Sequence, residues 1–567
     1  MNIKEGISGI IVPQWKISSG SSEFIFAIDF GTSNTHIEYA IVGSKVSEPF
    51  DISYKDRQLY KLNEYLLANT IFNNDYIPAE INQSSQYHFP IRTVLSEGKN
   101  TDWKKPVFAM ANTNIPFTYE KEMLPDFDKW TTELKWGNTI DSQQKVYHYL
   151  ETLFLLLRNK VLLNNGELEK TKIVWFYPAS MTEGRYNKYA KIWNELYKVY
   201  FGQNVFNVVP VSESLAPYSF YKNKKGATTD VVSIDIGGGT TDVLIVREGR
   251  ADLLTSFRFA ANSIFGDGYG LDADSNTFLQ YYIKEIKEKF TANAFNELID
   301  VLGKLDTQKV SADIFSFFFS LASNKKILES GLKIDFNELL SQDDNCRYLF
   351  ILFYAAIMYH IASIMKIKKL PMPRHITFSG NGSKILQILT PSNETLENFT
   401  KLIFEKVYGV DYDIDGVTII RNFENPKEAT CKGGILNPEP QPYSDIDNLK
   451  QTLLGDGMGT FITGDIKYDA VGEKMQTDVL NEVIHFIDVF IQLNNEFSYV
   501  NKFSAEPSKW NLVKQCCEKD IKKHLKDGIT QKKEELHQTG TEPKIEETLF
   551  FYPLVGILNQ MAQELYK

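Results

Sequence analysis

A strand, an aspartate and a small-residue turn occur twice in this chain. The first copy is FIFAIDFGTSNTHIEYAIV, with Asp29, Phe30 and Gly31 at its centre, and the second is VVSIDIGGGTTDVLIV, with Asp235, Ile236 and Gly237. The aspartates lie 206 positions apart (235 − 29), and at that one offset Gly31 matches Gly237, Thr35 matches Thr241 and Ile37 matches Val243. Each copy reads as an apolar strand, a tight turn and a second apolar strand. The turns are Gly-Thr-Ser-Asn and Gly-Gly-Gly-Thr. Glycine lets a backbone approach a ligand closely. Successive N–H groups in such a turn form a concave anion site, to which hydroxyls add donors. An aspartate beside that site would repel phosphate unless a hydrated magnesium ion lay between them. Two such hairpins facing across a cleft would hold a nucleotide's phosphates from both sides.

The composition agrees with a soluble multidomain globular protein and argues against some partners. The chain has 567 residues, 43% hydrophobic and 23% charged, enough for several domains. Its net charge of −11 argues against nucleic acid or an anionic membrane as the main partner. Four cysteines, two of them adjacent at Cys516 and Cys517, make no disulfide framework and suit a reducing cytoplasm. Ile10–Val12 is too short an apolar run for a signal peptide. The stretch YLFILFYAAIMYHIASIM, 348–365, carries no charge and is at the edge of a membrane span in length. His360 and Ser363 within it, and the strand-loop RHITFSGNGSK close behind, favour a helix buried beneath a sheet.

Further segments follow in a set order. ELKWG brings Lys135, IVWFYPAS is an apolar strand, and PVSESLAPYSFY carries Glu213. After the second hairpin come SIFGDGYG, FSGNGSKI and NPKEATCKGGIL. Together with DIGGGTTD, this series over residues 24–436 resembles the actin-like ATPase superfamily, and most of all the nucleotide-binding domain of DnaK-type heat-shock chaperones. The resemblance implies an α/β, two-lobed actin-like ATPase fold: duplicated ribonuclease H-like lobes around a nucleotide cleft, followed here by a mainly helical C-terminal extension. The expected divisions are an N-terminal extension at 1–23, lobe I at 24–210, lobe II at 211–437 and the extension at 438–567. Alternating apolar strands and long helical patterns independently support α/β architecture.

The resemblance also implies roles in binding ATP or ADP with Mg²⁺. Asp29 and Asp235 would position the metal through its waters. Gly31, Thr32, Ser33 and Asn34 would hold the outer phosphates from one lobe, and Gly237, Gly238, Gly239 and Thr240 from the other. Lys135 would sit near the terminal phosphate, since phosphoryl transfer is mostly positioning and charge neutralisation; the plain alternative is a solvated surface lysine. Glu213 would orient metal-bound or attacking water, the alternative being an acidic residue at a helix start. Gly380, Asn381, Gly382, Ser383 and Lys384 would line the adenosine. Asp235, Glu213, Lys135 and Thr240 are thus the expected catalytic set.

Two departures stand out. Asp29 and Lys135 are 106 positions apart (135 − 29), which implies an insertion covering KLNEYLLANTIFNND and NQSSQYHFP. The tail after LNPEPQPYSD has neither the acid-flanked linker nor the peptide-binding β-sandwich of a DnaK-type chaperone. It reads as helical, with Trp510, Val513, Cys517, Ile521 and Leu525 forming an amphipathic stripe. It is either a cap on the ATPase domain or a docking surface for an unidentified protein partner. The second reading expects Phe550, Phe551 and Tyr552 to be exposed. The leading functional expectation is a DnaK-like, slowly hydrolysing ATPase switch acting on a protein partner in the cytoplasm, with neither membrane nor nucleic acid involved. The alternative is a self-associating MreB/ParM-type filament ATPase, and the third reading is a sugar-kinase-like phosphotransferase.

Overall fold

A computed structural model describes residues 2–4, 7–8 and 20–567, apart from 45, 62–76, 79, 83–88, 99–100, 117–127, 133, 138–139, 180, 227–228, 270–271, 413–415, 422–425, 463–465, 539–543 and 546. Most of the expected N-terminal extension and insertion, including all but Lys61 of KLNEYLLANTIFNND, lies outside the described residues.

Two sheets that share one five-strand order organise the molecule, the lobe I sheet carrying a sixth short strand, Ile91–Arg92, beside Asn34 and Thr35. Lobe I contributes β1 (Phe24–Phe30), β2 (Asn34–Ile41), β3 (Glu48–Pro49), β4 (Lys172–Tyr177) and β5 (Val208–Ser212). Their spatial order is β3-β2-β1-β4-β5. The first three are antiparallel neighbours, whereas β4 and β5 run parallel to β1. Lobe II repeats this with β6 (Val231–Ile236), β7 (Thr241–Arg247), β8 (Arg250–Phe257), β9 (His375–Ser379) and β10 (Thr418–Arg421), in the order β8-β7-β6-β9-β10. Here too a three-strand meander is followed by two parallel strands.

The repeat extends to single residues. Asp29 pairs with His36 and Asp235 with Asp242 across their hairpins. Each turn closes through the same backbone bond, from Gly31 N to Asn34 O at 3.1 Å and from Gly237 N to Thr240 O at 2.9 Å.

Helices cover the sheets and connect the lobes. In lobe I, α1 (Ile140–Leu163) and α2 (Glu183–Tyr200) pack together beside the β1–β4 core, where Trp175, Trp193 and Tyr197 are fully enclosed. The link between the lobes is α3 (Leu215–Lys225), whose Tyr221 hydroxyl donates to Phe378 O on β9 at 2.6 Å. In lobe II, α4 (Arg347–Ile367) is the apolar segment noted in the sequence. It is long and apolar enough to cross a membrane, but 94% of its apolar window is buried in this core. It packs on α5 (Asn393–Tyr408).

The helix α6 (Glu428–Leu436), grouped with lobe II from the sequence, returns to lobe I and lies on β1, β2 and α3. Its two glycines permit this contact. A Cβ on Gly433 would lie 1.7 Å from Ala216 O, and one on Gly434 would lie 2.5 Å from the Phe176 ring.

The C-terminal extension is built into lobe II. It includes α7 (Glu473–Phe497), α8 (Trp510–Glu518), α9 (Ile521–Gln538) and α10 (Phe551–Leu565), whose apolar faces join the same continuous core as β6, β7 and α4. The expectation that Phe550, Phe551 and Tyr552 are exposed is corrected, since all three are buried. Phe551 packs 4.5 Å from both Phe257 and Phe259, centroid to centroid. Phe550 stacks on His360 of α4 at 5.4 Å. The amphipathic stripe thus finds its partner within the chain.

Candidate functional site

The two hairpin turns meet at a cleft between the lobes. A Cβ on Gly238 would fall 2.8 Å from the Ser33 hydroxyl, so the turns nearly touch. One cavity is lined by Asp29, Gly31, Thr32, Ser33 and Asn34 from lobe I and by Asp235, Gly237, Gly238, Gly239 and Thr240 from lobe II. Lys135, Glu213, Gly380 and Asn381 line it as well. Gly382, Ser383 and Lys384, expected at the adenosine, are not among its lining residues. Ser383 instead donates its hydroxyl to Gly380 O at 2.7 Å, securing the loop from behind.

Local structure explains how each side chain is presented. Asp29 and Asp235 stand near the ends of β1 and β6, just before turns that the backbone bonds hold closed. Gly380, at φ +78°, follows β9, where a Cβ would meet Ile236 O at 2.3 Å and Asp235 Oδ1 at 2.4 Å, so glycine is required there. Ser379 donates to Asp235 Oδ2 at 2.9 Å, and Thr430 of α6 donates to the same oxygen at 3.3 Å.

Lys135 is not a solvated surface residue. It is 3% exposed, lies in the short helical turn Leu134–Trp136 and forms an ion pair with Glu213. Its carbonyl accepts from Arg185 Nη1 at 3.0 Å and the Tyr189 hydroxyl at 2.8 Å, which fixes the turn. Glu213 lies between β5 and α3, its backbone N–H bonded to Tyr177 O at 3.0 Å. Burial raises its carboxyl above the ordinary value, opposed by Lys135.

Four cavity residues were not singled out from the sequence: Trp136, Asp242, Lys427 and Thr430. Asp242 was the most legible, because a hairpin closed at Gly237–Thr240 must pair it with Asp235. Trp136 donates its indole N–H to Thr32 Oγ1 at 2.8 Å. Arg185 of lobe I and Arg258 of lobe II lie 5.2 and 5.9 Å from its ring centre, so it bridges the lobes beside the phosphate turn. A further bridge joins Arg92, next to β2, to Asp313 at 3.4 Å and Ser316 at 3.1 Å in lobe II. Lys427 Nζ lies 3.1 Å from Asp29 Oδ2.

The electrostatics suit a hydrated divalent cation. Four carboxylates (Asp29, Glu213, Asp235 and Asp242) face two ammonium groups in the cleft, a formal excess of two negative charges (4 − 2). Burial, with the charge of Asp29, pushes Asp235 up to about 7. Burial, with Glu213 and Asp235 nearby, pushes Asp242 to about 7 as well. Asp242 Oδ1 is enclosed without a hydrogen-bond partner. Hard oxygen donors with an unmet negative charge fit magnesium. Among the described residues no three acidic, histidine or cysteine side chains converge into an all-protein metal cage.

No protein-family model matches the sequence, and no curated protein matches it. Among solved structures the chain is similar to the MamK double helical filament, at 13% identity over 74% of this chain and 100% of that one, with a TM-score of 0.38. It is similar to the ethanolamine utilization protein EutJ from Carboxydothermus hydrogenoformans at 9% identity, over 76% of this chain and 93% of that one, with a TM-score of 0.31. It is also similar to MreB5 of Spiroplasma citri bound to ADP at 12% identity, over 43% of this chain and 55% of that one, with a TM-score of 0.27. The match thus spans little more than half of the MreB5 chain. These superpositions are loose. The same strand order in both sheets, repeated lobe for lobe around one cleft, makes this a two-lobed actin-like fold.

Proposed function

We propose that this chain is a magnesium-dependent ATPase that works as a conformational switch. The observation that carries the reading is the meeting of two equivalent glycine turns from two lobes at one carboxylate-rich cleft. Beyond Gly31 and Gly237, whose N–H groups close the turns, backbone N–H groups of Thr32–Asn34 and Gly238–Thr240 would receive the outer phosphates from opposite sides. Magnesium, when bound, would neutralise charge between those phosphates. Asp29 and Asp235 would accept hydrogen bonds from the waters around it. Lys135 holds Glu213 in place, and Glu213 would orient the attacking water. Gly380 and Asn381 would approach the nucleoside.

Contacts that bridge the lobes would change as the cleft opens, which converts nucleotide state into shape. What reads that shape separates the two leading possibilities. A DnaK-like switch needs an effector that moves relative to the lobes, but residues 473–538 and 551–565 are part of lobe II's core. That favours lobe surfaces as the output, as in a filament-forming ATPase whose self-association follows its nucleotide. Light scattering with phosphate release measured in the same tube tests this. A rise on adding Mg-ATP that falls as phosphate is released supports filaments. Phosphate release at constant particle size supports a monomeric switch acting on another protein. No release and no nucleotide binding would remove the ATPase reading altogether.

A further inference from the structure

Lys427 reaches the cleft from an element that has no need of a charge there. It is the N-cap residue of α6, which packs on lobe I through the buried Ala429, Cys431, Gly433 and Gly434. Yet its ammonium turns into the cavity, 3.1 Å from Asp29 Oδ2. A Cβ on Gly31 would lie 2.6 Å from the same nitrogen, so the charge hangs over the first residue of lobe I's turn. Burial pulls this ammonium down. Asp29, Asp235 and Glu213 outweigh that pull and raise it, so the group stays charged.

The two lysines of the cavity are engaged differently. Lys135 is enclosed and committed to Glu213, whereas Lys427 is 14% exposed and borders the open space. The N–H groups of a glycine turn supply only partial charges, and a terminal phosphate held there gains from a full cation alongside.

We propose that Lys427 is a catalytic residue of the ATPase reaction, contacting the outer phosphoryl oxygens from the lobe I side. The proposal rests on the ATP-binding reading given above. In the empty cleft Asp29 holds the ammonium in readiness. When a triphosphate enters, the ammonium turns to the more concentrated negative charge, and Asp29 becomes available to water. A monophosphate, with no outer phosphates, would miss this contact.

The test is calorimetric titration of the full chain with ATP and with AMP in magnesium buffer, comparing the wild type with Lys427→Met, Lys427→Arg, Asp29→Asn and Asp29→Asn/Lys427→Met. The double variant removes both partners, so folding does not suffer from an unpaired carboxylate. Lys427→Met should weaken ATP binding about tenfold or more and AMP binding less than about twofold, the scale of a charge-assisted hydrogen bond. In the Asp29→Asn background, loss of the lysine should still weaken ATP about tenfold, and Lys427→Arg should recover part of the affinity. Equal losses for ATP and AMP, or no loss in the Asp29→Asn background, would reduce the lysine to a partner of Asp29 and overturn the proposal. A wild-type protein that binds ATP as tightly as Lys427→Met does sinks the lysine's role alone. A wild-type protein that binds neither nucleotide sinks the ATPase reading and the proposal together.

Discussion

Trp136 Nε1 donates to Thr32 Oγ1 at 2.8 Å, which ties an indole ring directly to a hydroxyl of the phosphate turn. Arg258 lies over the same ring from the other lobe. A nucleotide that draws on Thr32 or shifts the lobes changes the surroundings of this ring. Intrinsic fluorescence should therefore respond to ATP, and Trp136→Phe should remove the response although six other tryptophans remain (7 − 1). A response retained in full by the variant would place the reporting tryptophan elsewhere.

The Lys135–Glu213 pair gives two distinguishable variants. Lys135→Met leaves a carboxylate buried without its partner, at a cost of about 3 kcal/mol, and turnover should fall about 100-fold, the scale for loss of one electrostatic contact in a transition state. Glu213→Gln leaves the enclosed Lys135 ammonium without its carboxylate but still offers it an amide oxygen, so turnover should fall with a smaller loss of thermal stability. Melting curves recorded beside phosphate-release assays separate the two effects. Wild-type turnover in both variants would take the pair out of the chemistry.

Asp235 makes the stability of the metal-free protein depend on pH. A carboxyl raised in the folded state keeps its proton longer there than in the unfolded chain. Folding thus takes up a proton between about pH 4, where a free aspartate titrates, and about 7, where Asp235 does. The stabilisation is present below that window and is lost as pH rises through it. With nucleotide and divalent ions removed, the melting temperature should be lower at pH 8 than at pH 5.5. Asp235→Asn should shrink the difference without abolishing it, because Asp242 is also pushed up to about 7. An undiminished difference in the variant would mean that Asp235 does not titrate in this range.

The C-terminal helices should be indispensable to lobe II. Phe551 is enclosed by Phe257, Phe259 and His360, so Phe551→Ala should cost about 3–5 kcal/mol. Removing residues 438–567 strips the faces of β8 and α4 and should yield insoluble protein. A soluble truncated chain that still binds ATP would show that the tail is dispensable for folding.

The duplicated hairpin was legible because a strand, an aspartate and a glycine turn are local and their spacing repeats. That local pattern placed Asp29, Gly31–Asn34, Asp235 and Gly237–Thr240 around one cavity, and motif order added Lys135, Glu213, Gly380 and Asn381. Gly382, Ser383 and Lys384 are outside the lining of that cavity, and a Gly-Asn-Gly-Ser turn does not reveal which of its sides faces the opening. Lys427 and Thr430 could not be read in advance. Their place depends on where α6 docks, and that is set by the fit of Gly433 against Ala216 O. Phe550–Tyr552 looked like a docking patch because an amphipathic stripe shows that a face is covered without naming what covers it.

Phosphate release from Mg-ATP by the purified chain, run beside Asp235→Asn, bears most directly on the central claim that this cleft binds and hydrolyses ATP. The account predicts slow, repeated turnover by the wild type, reduced about 100-fold in a variant that keeps its fold. No release by the wild type combined with no competition by ADP, or equal rates in the two proteins, would contradict it.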